Sequence, residues 1–226
     1  MKKPFVLFAL VTLVLLGYGT YQALVAAPTE ATMGDVQRIF YYHVPSAIAA
    51  FTLFFVNFIA SIVYLLRRSN RADAIAVSAA EVGVVFCTVV LVTGPLWARP
   101  VWGIWWTWDA RLTSTLVLWL IYVSYLLLRR FSTGQVATVA AALSVFGFLD
   151  VPFVYLANRI FRTQQPQPIS ELDPRMATAL LWNMAAFLCF AALVLWLRYM
   201  LERTRQQLQE RQAMDHMMSF EERLTR

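Results

Sequence analysis

Charge, cysteine and histidine are all scarce in this chain. Of its 226 residues only 14% are charged, two are cysteine and two are histidine. Cys87 and Cys189 lie inside apolar stretches with no CxxC or metal-ligand spacing, so they read as packing residues. There is no internal repeat and no P-loop, HExxH or GxSxG, which removes the common signatures of soluble catalysis.

What is abundant is apolar mass, with 60% hydrophobic residues. Such a composition makes the bilayer the expected solvent. Six stretches are long enough to cross about 30 Å of hydrocarbon as helices: Pro4 to Val25, Ser46 to Leu66, Asp73 to Ala98, Leu112 to Leu128, Val136 to Ala157 and Met176 to Leu197. The expected fold is an all-α six-helix membrane bundle. Residues 1–200 form that domain and residues 201–226 a charged tail, whose "LERTRQQLQERQ" reads as a solvated helix.

The formal charge of +6 does not imply a nucleic-acid partner, because the cations follow the topology. If six helices alternate, 13 of the 19 Lys and Arg fall on one side, including Lys2, Lys3, Arg67, Arg68, Arg129 and Arg130. Only Arg38, Arg99, Arg111, Arg159, Arg162 and Arg175 fall on the other. The positive-inside rule then puts both termini in the cytoplasm. The N-terminus also has the layout of a signal peptide, with "ALVAAP" as a conceivable cleavage region. Its length, with Tyr18 and Tyr21 as interfacial anchors, favours a retained helix, and either outcome leaves Ala27 to Pro45 outside.

The outer side holds the longer loops and the uncommon residues, where function is expected. Five of the eight Trp fall between Trp97 and Trp108 in "LWARPVWGIWWTWDA". If Trp102 to Asp109 is helical, Trp102, Trp105, Trp106 and Asp109 share one face. An aromatic belt would spread its Trp over several helix ends, whereas this concentration suggests a platform for a large planar ligand. Arg99 and Arg111 bracket the platform and Arg38 sits in the neighbouring loop, so guanidinium forks are at hand for acidic substituents. His43, in "VQRIFYYHVPSA", is the one histidine on that side, and imidazole is a suitable axial ligand for haem iron.

With these residues assembled, "WGIWWTWDARLTS" resembles the WWD signature of haem-handling proteins of cytochrome c biogenesis. The length, the six spans, "YYHVPSA", "LVTGPLWARPVWG" and "LDP" before the last span resemble the CcmC branch, the haem exporter protein C family, over about Asp35 to Leu197. The resemblance implies a multi-pass protein of the bacterial inner membrane that binds haem b as transient cargo and is not itself an enzyme. Haem would sit at the outer face on Trp97, Trp102, Trp105, Trp106 and Trp108, with Asp109 orienting neighbours or meeting a partner. Arg38, Arg99 and Arg111 would contact propionates, and His43 would ligate the iron.

The resemblance also implies a second external histidine, where this chain reads "RTQQPQP" and offers Gln164 or, as the preferred counterpart, Gln165. Three readings stay open: His43 as sole protein ligand, a sulfur from Met33 or Met176, or a divergent copy with weaker haem retention. The implied partners are the haem chaperone CcmE, an ABC-type complex of CcmA and CcmB, and the small membrane protein CcmD. The competing functions are a haem lyase like the larger relatives, a transporter and a structural subunit. Two intramembrane acids, Glu81 and Asp150, need partners, since an ion at mid-depth costs at least ~2.5 kcal/mol. Arg71 or Arg129 is expected for Glu81, and Arg38 for Asp150 unless it lines the floor of the site.

Overall fold

The computed structural model describes residues 3–131, 136–161 and 172–224. Among them the chain is helical, in the order α1 (Lys3–Tyr21), α2 (Phe40–Arg67), α3 (Asn70–Trp102), α4 (Ala110–Phe131), α5 (Val136–Phe148), α6 (Asp150–Ile160) and α7 (Pro174–Leu224). Six segments are long and apolar enough to cross a membrane, with α5 and α6 together making one. The fold expected from the hydrophobic runs is therefore the one formed.

Local chemistry sets the breaks. A π-turn, Gln22–Ala26, ends α1, and a 3-10 turn, Asp35–Ile39, leads into α2. Two residues join α2 to α3: Arg68 is left-handed at φ 51°, and the Ser69 side chain accepts from the Ala72 amide at 3.4 Å to cap the new helix. Between α5 and α6 the helix interrupts at Leu149, and Pro152 has no amide to offer the Phe148 carbonyl.

Helices α2 and α3 form an antiparallel central pair, with α7 and α1 on one flank and α4, α5 and α6 on the other. Lipid gives no hydrophobic drive between helices, so close backbone approach matters most. Ala49, Ala50, Ala60, Ala76, Ala79 and Ala80 are buried, and a Cβ on Gly83 would stand 2.7 Å from the Phe54 ring. That ring in turn stacks on Tyr122 of α4 at 3.8 Å and 12°. The register follows along the pair: His43 meets Thr93 at one end, Phe54 meets Gly83 midway, and Asn57 bonds the Ala76 carbonyl beyond.

At the end away from His43 lie two interhelical ion pairs. Arg129 grips Asp73 with two hydrogen bonds of 2.6 and 2.7 Å, and both side chains are mostly buried. Glu81 pairs with Arg198 of α7, whose Nε donates at 2.6 Å. This corrects the expectation of Arg71 or Arg129: Asp73, about two helix turns nearer the α3 start, has already taken Arg129. The tail beyond Met200 continues α7 as one helix of 51 residues, without a break at the anticipated domain boundary. Its first turns dock onto α3, through Gln206 to Asp73 at 3.3 Å and Asn70 to Glu210 at 2.9 Å.

Candidate functional site

The site is assembled at the outer end of the α2/α3 pair, where prolines concentrate. Pro45, Pro95 and Pro100 lie within α2 and α3, and each withholds one amide from the ladder of its helix. His43 stands in the first turns of α2, half-buried, and its Nδ1 lies 2.8 Å from the Thr93 Oγ of α3. Gly94 follows, and a Cβ there would come 3.6 Å from the His43 Cε1, ordinary contact. A larger side chain at 94 would press on the imidazole edge.

The Trp-rich segment is not the amphipathic helix its spacing suggests. Helix α3 stops at Trp102 because Gly103 takes a left-handed φ of 77° and returns its amide to the Arg99 carbonyl at 3.0 Å. The Arg99 guanidinium also folds onto the Gly103 carbonyl. Residues 103–109 then run without helix until Asp109 starts α4. Its Oδ1 accepts from the Arg111 and Leu112 amides, both at 3.0 Å, and its Oδ2 from the Thr107 hydroxyl at 2.9 Å. The shared face of Trp102, Trp105, Trp106 and Asp109 is thus not formed. A C-terminal Gly and an N-capping Asp six residues downstream outweigh the i, i+3, i+4, i+7 spacing.

The indoles arrange as two perpendicular pairs instead of one flat platform. Trp97 and Trp102 meet edge to face at 4.9 Å and 86°, and Trp106 and Trp108 at 5.8 Å and 75°. Trp105 and Trp108 remain 56% and 76% exposed, so their faces are available. The Nε1–H groups of Trp97 and Trp106 and the Thr113 hydroxyl are buried without a hydrogen-bond partner among the described residues.

The three arginines separate in role. Arg38 is engaged as a clamp on the end of α1: Nη1 donates to the carbonyls of Ala23 at 2.7 Å and Ala27 at 3.3 Å, while Nε binds Asp35 at 2.9 Å. It makes no bond to Asp150, whose Oδ2 is buried without a hydrogen-bond partner among the described residues. Arg111, half-buried at the start of α4, lies close enough for its charge to act on His43 of α2 and to feel Asp109 and Tyr155 of α6. Of the three, it is the one whose charge acts on His43.

The two sulfur candidates differ in setting. Met176 is buried in an apolar cluster with Tyr41, Ala179 and Leu180. Met33 lies in a turn closed by Glu30, whose carboxylate accepts from the Met33 and Thr32 amides. Those bonds, the one from Met33 foremost, hold the Glu30 carboxyl below its usual range. Gln164 and Gln165 lie outside the described residues. Thr93, Thr113 and the unsatisfied indole N–H groups were missed in the sequence; a lone threonine before Gly-Pro in an apolar run was the available signal for the first.

Comparison with known proteins bears on the whole chain. The family model for "Heme exporter protein C" matches residues 1–219. The chain belongs to that family. It is 35% identical to "Heme exporter protein C" of Haemophilus influenzae over 206 residues, covering 87% of this chain and 83% of that protein. The Escherichia coli K12 member is 32% identical over 195 residues, with coverage of 84% and 80%. A "Putative cytochrome c biosynthesis ccmC-like mitochondrial protein" of Marchantia polymorpha is 33% identical over 173 residues, with coverage of 76% and 73%. This is accordingly a multi-pass membrane member of a haem-handling family of cytochrome c biogenesis.

Proposed function

We propose that the protein binds haem b as transient cargo at the His43 end of the bundle and presents it on the periplasmic face of a bacterial inner membrane. The single observation that carries this reading is the meeting of His43, its Thr93 hydrogen bond and the Arg111 charge beside the Trp segment. An imidazole nitrogen suits haem iron. A partly buried guanidinium suits a propionate. Exposed Trp105 and Trp108 offer stacking surface, and the unsatisfied N–H groups of Trp97 and Trp106 suit an anionic or carbonyl acceptor. The donor set therefore fits a flat, metal-bearing dicarboxylate.

Within that reading the residues divide their work. His43 would hold the haem iron through an imidazole nitrogen, as the one histidine ligand this chain offers on that face. Arg111 holds a propionate, and Arg99 borders the site from the end of α3. Asp109 fixes the start of α4 and so the position of Arg111. Arg38 supports the outer loop by joining it to α1. Gln165 replaces the second imidazole expected from the resemblance, and a glutamine amide is a poor ligand for haem iron.

The role so proposed is that of carrier and presenter. Cys87 is buried in the helix core, away from any thioether chemistry at the outer end. Sidedness comes from the distribution of Lys and Arg. Transfer would go to the chaperone CcmE, with CcmA, CcmB and CcmD as assembly partners.

Haem titration of purified wild type, His43→Ala and Gln165→His tests the reading. Loss of binding in His43→Ala and tighter, low-spin binding in Gln165→His are expected. A low-spin bis-histidine spectrum from the wild type alone would refute the single-imidazole ligation. Absence of any haem binding by the wild type would instead favour a structural subunit.

A further inference from the structure

His43 is fixed by a contact whose direction can be deduced. The Thr93 hydroxyl lies 2.7 Å from the Val89 carbonyl oxygen one helical turn back. Two oxygens at that separation repel unless a hydrogen lies between them, and a carbonyl has none to give. The hydroxyl proton is therefore committed to Val89. At 2.8 Å from Nδ1, the Thr93 Oγ can then only accept, so the ring proton sits on Nδ1. A neutral imidazole with Nδ1–H carries its free lone pair on Nε2.

We propose that Thr93 is a positioning residue that locks His43 in the Nδ1–H tautomer and so presents Nε2 as a metal-ready lone pair. The consequence for haem rests on the ligand reading of His43 given above; the tautomer itself does not. Free imidazole side chains favour the opposite tautomer in water, so without Thr93 part of the population would have to move its proton before ligation. Partners of this kind, bonded to the ring nitrogen that does not meet the metal, both orient the ligand and strengthen its donation. The geometry recruits α3 for this purpose: Thr93 immediately precedes Gly94, whose lack of a side chain leaves the adjacent Cε1 edge uncrowded.

The test uses the full-length protein in nanodiscs, with 15N-labelled histidine. Only two histidines are present, so His216→Gln assigns the spectrum. In the haem-free protein, wild type and Thr93→Ser should show a protonated Nδ1 and a lone-pair Nε2 for His43, and Thr93→Val should shift toward Nε2–H. A wild-type His43 protonated on Nε2, or a tautomer unchanged in Thr93→Val, overturns the proposal.

Haem titration supplies the second arm. Thr93→Val should bind iron protoporphyrin IX about tenfold more weakly, at a higher midpoint potential, with both restored in Thr93→Ser. A tautomer shift with unaltered haem affinity and potential overturns the positioning role. If His43→Ala binds haem as the wild type does, the haem-ligand reading fails while the tautomer result stands by itself.

Discussion

His43 carries its burden through its neighbours, and each neighbour yields a separate test. Gly94 offers only ordinary contact distance to a Cβ, so Gly94→Ala should keep haem binding. Gly94→Leu should reduce haem binding at least tenfold in a titration, with helix content by circular dichroism unchanged. Arg111 is half-buried and its charge acts on the imidazole. Arg111→Gln should weaken haem binding more than Arg38→Gln does, because the Arg38 guanidinium is occupied with Ala23, Ala27 and Asp35. Equal losses in the two variants would show that Arg111 has no privileged contact. Asp109 was legible in the sequence as a charged member of the Trp motif, but not as a cap. The capping signal was nonetheless present, since Asp before "ARLTS" is a good helix start.

At the scale of elements, long spans declared themselves because apolar runs of this length have few alternatives in a bilayer. Helix ends were harder. The Trp face was inferred from spacing, whereas Gly103 and Asp109 divide that stretch by backbone conformation and capping. Asp109→Ala should cost about 1 kcal/mol of stability and loosen residues 107–112, measured by hydrogen exchange, with Asp109→Asn close to wild type. Ion-pair partners were illegible for a different reason. Glu81 and Arg198 are separated by 117 residues and meet only because α7 packs against α3. The nearly dry Asp73–Arg129 pair predicts asymmetric mutational costs. Arg129→Met alone should destabilise by about 3 kcal/mol or more by leaving a buried carboxylate, and adding Asp73→Leu should recover most of it in a thermal melt. Additive losses in the double variant would mean that the two charges are not coupled.

Over the whole molecule, chemistry and support occupy opposite ends. The Asp73–Arg129 and Glu81–Arg198 pairs and the docked beginning of the tail lie at one end, and the imidazole, indoles and Arg111 at the other. Past Glu210 the described tail side chains are all exposed, and the contacts to Asn70 and Asp73 precede that point. Truncation after Glu210 should therefore leave haem binding and melting temperature unchanged. Truncation after Met200 should lower the melting temperature by removing Gln206 and Glu210. The division into residues 1–200 and 201–226 was drawn on composition, which registers the change of solvent but not the continuity of a helix that crosses it.

Ligation of haem by the His43 imidazole is most directly tested by chemical rescue. His43→Gly should lose haem binding, and added imidazole should restore it together with the wild-type absorption spectrum. Retention of the wild-type spectrum by His43→Gly without imidazole would contradict the assignment of His43 as the iron ligand.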